Sequence, residues 1–163
     1  MRSATWQHTD MGLPKVWYLF GEDHLPYRIL LLARMLERQT QRLLMEQFAL
    51  SLAEWRLLAI ACAMGPCTAS DIGGAGGIDR AEISRALRKL EPKGLLVREA
   101  DPNHGKRLII SATPAGVELR ARVVAERRRH FRELMRDIPS EERAVLDNAI
   151  TEMARAIGDD QAD

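Results

Sequence analysis

Three helix-start signals lie close together in the middle of this chain. In each, a small polar residue is followed three positions later by an acidic one: Ser51–Glu54, Thr68–Asp71 and Asp79–Glu82. Such pairs satisfy amide groups that a helix leaves without partners in its first turn. Gly65-Pro66 and Pro92 are helix breakers that follow the first and third signals. The sequence therefore predicts three short consecutive helices, the third ending near residue 91.

The third predicted helix has two chemically different faces. Its inner face is apolar: Ile83, Ala86, Leu87 and Leu90. Its outer face is mostly cationic: Arg80, Ser84, Arg85, Arg88 and Lys89. The net charge of the chain is only +1, yet residues 79–107 hold eight Lys/Arg against five Asp/Glu. This local surplus favours a polyanionic partner.

Two β-favouring runs follow, at 95–99 and 106–111, around the turn sequence of residues 101–105. A major groove of DNA accepts one helix, and its phosphates attract a charged hairpin beside it. Residues 51–112 are therefore predicted to form a winged helix-turn-helix lobe that binds double-stranded DNA. The predicted contact residues are Thr68, Ser70, Arg80, Ser84, Arg85, Arg88, Lys89, Lys106 and Arg107. Whether the arginines bind bases or phosphates stays open, since both contacts are common.

The flanking segments are predicted to be helical and to hold two subunits together. We assign 1–24 to an arm with a short helical piece near Trp17, 25–50 and 113–158 to a dimerisation region, and 159–163 to a tail. An apolar stripe on the last helix comprises Leu146, Ile150, Met153 and Ile157. Such stripes need a partner surface. A homodimer on a pseudo-palindromic operator is the favoured arrangement, and an intramolecular bundle is the alternative.

Other classes of protein find little support in the sequence. No apolar run approaches a membrane span of roughly 18 residues, and no apolar signal segment opens the chain, so we expect a cytoplasmic protein without a membrane partner. The four histidines lack ligand spacing, so neither a metal nor a cofactor is predicted. No nucleophile–base set is present, which predicts a non-enzyme. Gly73–Gly77 lacks the Lys-Ser/Thr of a phosphate loop and is interpreted as a loosened helix end and turn.

Two further groups are given structural interpretations. Cys62 lies on an apolar helix face and is predicted to be a core residue, whereas Cys67 follows Gly-Pro and is predicted to be more exposed. Arg127–Arg129 is a basic run with acidic residues in helical pairing range. It is predicted to form a solvated, charge-balanced face.

From Tyr27 to Ile157 the chain resembles the MarR family of bacterial transcriptional regulators, most specifically at 52–58, at 83–96 and at 101–116. The resemblance implies a homodimeric, mainly α fold with a small β wing. The terminal helices make the dimer, the recognition helices enter successive major grooves, and the wings reach minor grooves or phosphates. Such regulators are usually repressors released by small aromatic or anionic ligands. The family's ligand pocket borders the dimer helices, which makes Tyr27, Arg34 and Trp55 candidate effector contacts.

The chain departs from the family pattern in its wing and in two helices. His104 and Lys106 stand where the family has an aspartate and an arginine, so the usual wing ion pair cannot form and Arg107 is expected to take over the arginine's task. Without that aspartate we expect a mobile wing tip that acts mainly through charge. Gly73 and Gly74 replace better helix formers, and Pro92 shortens the recognition helix.

The sequence thus predicts a homodimeric, sequence-specific repressor of neighbouring genes that a small ligand releases. The first alternative is a winged-helix module for protein contacts without enzymatic activity. The second is a DNA-binding regulator that senses no ligand.

Overall fold

The computed structural model describes residues 13, 15–18, 25–102 and 104–159. Trp17 lies in a short 3-10 helix, Lys15–Tyr18, which agrees with the helical piece predicted there. Other predictions for the arm, and those for the tail beyond residue 159, concern residues outside this description.

Six α-helices and one two-stranded antiparallel sheet make up the described part of the chain. They are α1 Leu25–Phe48, α2 Leu52–Met64, α3 Ala69–Gly76, α4 Arg80–Leu90, β1 Leu96–Asp101, β2 His104–Ala112, α5 Pro114–Leu134 and α6 Ser140–Asp159. The predicted mainly α fold with a small β wing is confirmed. The strand ends differ from the predicted ones by one or two residues.

The predicted capping signals begin the helices as expected, with one difference. Ser51 and Thr68 each form a complete capping box, in which side chain and backbone bond reciprocally. At α4 only half of the box forms: the side chain of Asp79 accepts from the amide of Glu82 at 2.7 Å. Helix α4 ends at Leu90, before Pro92, as predicted.

The core lies between α2, α3, α4 and the wing, with α5 closing one side. Its fully buried side chains include Leu44, Leu50, Leu57, Leu58, Ile72, Leu90, Leu96, Ile110 and Val123. Every element from α1 to α5 and the α1–α2 junction contribute to this set, so the lobe is one packed unit rather than a chain of independent helices.

The glycines at 73–77 form the end of α3 and the turn that follows it, where the sequence interpretation placed them. The helix runs through Gly73 and Gly74 to Gly76, and Gly77 ends it in the left-handed conformation at φ 57°. A Cβ on Gly76 would lie 2.4 Å from Cδ1 of Ile60. The absence of a side chain there lets α3 pack closely against α2, a reason that local propensity does not reveal.

A backbone bridge joins the wing to the start of α3. Cys67 and Ile110 exchange hydrogen bonds, with N to O distances of 3.1 Å and 2.8 Å. The prediction that Cys67 is more exposed than Cys62 is wrong: Cys67 is buried and Cys62 only half-buried. Pairing with β2 covers Cys67. Because this contact is long-range, the preceding Gly65-Pro66 could not reveal it.

One hydrogen bond ties the junction between α1 and α2 to the lobe. Ala49, between α1 and α2, has φ 50°, and its carbonyl accepts from Nζ of Lys93 at 3.1 Å.

Among the described residues no single helix combines the length and hydropathy of a membrane span; only α1 and α2 taken together, bent by 82° at their junction, meet that test.

The basic run on α5 differs from its prediction at one position. Arg129 is exposed and pairs with Glu126, as expected of a solvated face. Arg127 instead turns inward, with its guanidinium 5.6 Å from the ring centre of Trp55 and 5.5 Å from that of Phe131. Partial burial lowers the pKa of Arg127 below its ordinary value. Contacts with these two aromatic rings stabilise the guanidinium of Arg127, at a position where pairing with an acidic residue was predicted.

Candidate nucleic-acid interface

Helix α4 separates its two faces as the sequence predicted. Ile83, Ala86, Leu87 and Leu90 are buried in the core. The opposite side, which we call the arginine face, consists of Arg80, Ser84, Arg85, Arg88 and Lys89, and every one of these residues is exposed. The buried side anchors the helix by its apolar packing, so the cationic side projects outward from a fixed base.

Most arginines with a described ion pair lie away from the arginine face. Arg98 forms a bidentate ion pair with Glu91, in which Nε and Nη2 each lie 2.7 Å from a carboxylate oxygen. Arg56 pairs with Glu37 at 2.7 Å. Within the described part of the chain, Arg80, Arg85 and Arg88 form no such ion pair. Their charges are therefore available to an external anion such as a phosphate.

A groove of about 860 Å³ separates α3 and α4 from β2. We call it the wing groove. It is lined by Arg98 and by five of the predicted contact residues: Thr68, Ser70, Arg80, Ser84 and Arg107. The structure thus brings side chains from three separate segments to one concave surface, which carries more cations than anions.

Thr68 was predicted to contact DNA, and the structure places it in the helix cap. It is buried; its hydroxyl donates to Oδ2 of Asp71 at 2.7 Å and accepts from the amide of Asp71 at 3.2 Å. Ser70, by contrast, is exposed at the rim of the wing groove. The hydroxyl of Thr68 is therefore engaged in starting α3.

In the wing, Arg107 is held by a carboxylate that the sequence did not reveal. Its Nη2 lies 3.8 Å from Oδ2 of Asp71, which belongs to the first turn of α3. The wing folds back onto α3, so the carboxylate near Arg107 comes from outside the wing. The mobility of the wing tip stays a prediction. Hydrogen bonds from Thr68, with a smaller contribution from Arg107, hold the pKa of Asp71 below its ordinary value. The side chain of Lys106 lies outside the described part, so its contact stays a prediction.

A second cavity, of about 320 Å³, lies between the start of α2 and the arginine face. Glu54, Glu82, Arg85, Arg88 and Lys89 line it. The side chain of Glu54 is only 4% exposed and pairs with Lys89 at 3.2 Å. Glu54 was seen in the sequence as a capping residue alone; the contact with Lys89 depends on how α2 and α4 pack.

The three candidate effector residues are not gathered around either cavity. Trp55 is buried in the core, Tyr27 is half-buried and Arg34 is exposed. Neither of the two cavities above is lined by any of them. Their role in ligand binding stays a prediction. Among the described residues, no group of three His, Cys, Asp or Glu is arranged to hold a metal ion.

The predicted dimer residues lie on a helix with almost no intramolecular packing. Along α6, every residue from 141 to 150 is exposed. Leu146, Ile150 and Ile157 are exposed apolar side chains, and Met153 is half-buried.

Comparison with known proteins places the lobe in a family. Residues 50–107 match the sequence model of the MarR family. An uncharacterised HTH-type transcriptional regulator of Bacillus subtilis (strain 168) is 28% identical over 93 residues, 57% of each chain. A candidate transcriptional regulatory protein for the hcr operon of Thauera aromatica is 32% identical over 69 residues, 42% of each chain. The chain thus spans about half the length of the curated relatives it matches.

The structural similarity extends beyond the lobe. The crystal structure of a MarR-family transcriptional regulator from Silicibacter pomeroyi superposes with a TM-score of 0.63 at 27% identity, covering 80% of this chain and 90% of that one. The sequence match lies in the helix-turn-helix and wing, and the structural match includes flanking helices. On both grounds, the chain is similar to the MarR family of winged helix-turn-helix proteins, whose model its residues 50–107 match.

Proposed function

We propose that this protein is a transcriptional regulator that binds double-stranded DNA sequence-specifically. The observation that carries the proposal is the arginine face, where Arg80, Arg85 and Arg88 are exposed without described ion-pair partners on a helix anchored by the core. A guanidinium can bond to both acceptors of a guanine edge in the major groove, or to phosphate. The wing groove places Arg107 beside this face, where it would meet the adjacent backbone.

We propose further that the regulator acts as a homodimer through its terminal helices. In proteins most of a helix's stability comes from packing its apolar face, and on α6 that face is left open, with Ile150 47% exposed. Leu25, Leu30 and Leu32 are likewise exposed on α1. Burying these side chains against a second copy removes them from water and sets two recognition helices in a two-fold arrangement.

Repression of neighbouring genes, with release by a small ligand, completes the proposal. Its support is the similarity to the MarR family and the half-buried Arg127 beside Trp55. Arg127 is a cation with aromatic neighbours, close to the helices that border the family's ligand pocket. An anionic aromatic compound matches those groups in charge and shape.

Fluorescence anisotropy with promoter fragments tests the DNA-binding proposal. We expect selective binding to a fragment near the protein's own gene, and a steep loss of affinity as salt rises. Arg85→Ala should weaken that binding, whereas Arg136→Ala, which removes an exposed arginine paired with Glu133 at the end of α5, should not. Equal binding to all fragments, or equal effects of the two substitutions, would contradict the proposal.

A further inference from the structure

The ion pair between Asp71 and Arg107 joins the two sides of the wing groove. Both side chains remain accessible, with exposed fractions of 43% for Asp71 and 49% for Arg107. A phosphate group could therefore reach Arg107 without any rearrangement of the backbone. The same exposure means that the pair itself is weak, in the range where a competing anion can replace it.

The backbone fixes where these two residues meet. Cys67 pairs with Ile110 in the bridge between the start of α3 and β2. Asp71 lies one helical turn after Cys67, and Arg107 lies three residues before Ile110. Their proximity therefore follows from the register of the bridge rather than from a chance contact of two flexible side chains.

Asp71 is itself held in place. Its Oδ2 accepts from the backbone amide of Thr68 at 2.8 Å and from the hydroxyl of Thr68 at 2.7 Å. These bonds orient the carboxylate and favour its ionised form. The anion that faces Arg107 is thus fixed and charged in the free protein.

We propose that Asp71 is a positioning residue that holds Arg107 over the wing groove and competes with DNA phosphates for it. This inference rests on the proposed DNA-binding function. Carboxylate and phosphate compete for the same N–H donors, so a phosphate that binds Nη2 of Arg107 displaces Asp71. On DNA that offers only its backbone, Arg107 turns to a phosphate and the ion pair is lost. On an operator whose groove admits the guanidinium with Asp71 still beside it, the ion pair is kept, so Asp71 increases discrimination between the two.

A double-mutant cycle measured by anisotropy tests this role. The proteins are the wild type, Asp71→Asn, Arg107→Ala and the double variant, each titrated with an operator duplex and a scrambled duplex. Asparagine keeps an oxygen that can accept from the amide of Thr68, so the start of α3 is preserved. The matched control is Glu82→Gln, which removes a carboxylate from the first turn of α4 without touching Arg107.

We expect Asp71→Asn to tighten binding to the scrambled duplex by about two- to fivefold more than Glu82→Gln does, the range of an exposed ion pair. The operator should gain less, so the ratio of the two affinities should fall. In the Arg107→Ala background the effect of Asp71→Asn should shrink to that of the control. A gain of equal size with and without Arg107 would overturn the inference, since it would show only the loss of a negative charge. So would unchanged or weaker binding to the scrambled duplex.

A second measurement keeps the test decisive if Asp71→Asn folds poorly. Asp71→Glu retains the carboxylate and the preferred capping-box residue but moves the charge outward by one methylene. If Asp71 sets the position of Arg107, this variant should change the affinity ratio in wild-type protein and not in the Arg107→Ala background. An identical change in both backgrounds would overturn the inference. A wild-type protein that binds neither duplex would instead overturn the proposed function itself.

Discussion

The carboxylate of Glu54 lies 3.2 Å from Nζ of Lys89, so that a buried acid in the first turn of α2 is neutralised by a cation from the last turn of α4. The other carboxylate oxygen accepts from the amide of Ser51 at 3.0 Å. The side chain of Glu54 thus caps α2 and also contacts the last turn of α4. Lys89 differs in this respect from Arg85 and Arg88, its neighbours on the arginine face.

Lys89→Ala should destabilise the fold because it leaves the carboxylate of Glu54 buried without its cation. We expect a loss of about 1 kcal/mol, near the upper end for an exposed pair, since Lys89 is 67% exposed while Glu54 is not. Urea unfolding measures the change. Arg88→Ala is the control and should lie within about 0.5 kcal/mol of the wild type. In a Glu54→Gln background the cost of Lys89→Ala should vanish; a cost that persists there would contradict the pairing.

Ile150→Glu should dissociate the proposed dimer or prevent its folding, because an unpaired carboxylate in an apolar interface costs several kcal/mol. Asn148→Glu places the same charge on the opposite face of α6 and should leave the dimer intact. Light scattering at micromolar concentration distinguishes the two. A monomeric wild type, or equal dissociation by both variants, would speak against an interface on the Leu146–Ile150 face.

Gly116→Ala and Gly74→Ala should change stability in opposite directions. A Cβ on Gly116 would lie 2.1 Å from the carbonyl oxygen of Leu95, which is backbone and cannot move aside easily. We expect a loss of about 2 kcal/mol or more from this overpacking. Gly74 is helical with open space around it, so alanine there should stabilise by up to about 1 kcal/mol. Thermal melts of both variants measure the difference, and a tolerated Gly116→Ala would refute the close approach.

Both thiols should react slowly with alkylating reagents at neutral pH. Burial raises the pKa of Cys62 and of Cys67 above the ordinary value, which disfavours the reactive thiolate. Reaction should therefore accelerate only as pH rises into the alkaline range, and Cys67, the more buried of the two, should be slower than Cys62. Iodoacetamide labelling followed by peptide mass spectrometry gives both rates, with urea-unfolded protein as the reference. Labelling of Cys67 at the unfolded rate would show that the Cys67–Ile110 bridge opens readily.

The local elements follow from residues that are close together in the sequence. Capping boxes at Ser51 and Thr68 and the break at Pro92 act over three or four residues, so their effects can be inferred without knowing the fold. The two-faced character of α4 is equally local, because helical periodicity alone separates Ile83 and Leu87 from Arg85 and Arg88. The arginine face was therefore predictable residue by residue.

Which of these side chains are free and which have a partner depends on the tertiary fold. Arg107 meets Asp71, Lys89 meets Glu54, and Cys67 is covered by Ile110 across long stretches of chain. Each contact depends on how separate elements pack, and packing is set by the whole core rather than by neighbouring residues. The amino-acid type of a cationic residue determines its charge. The carboxylate or ring that the fold brings beside it determines what that charge can bind.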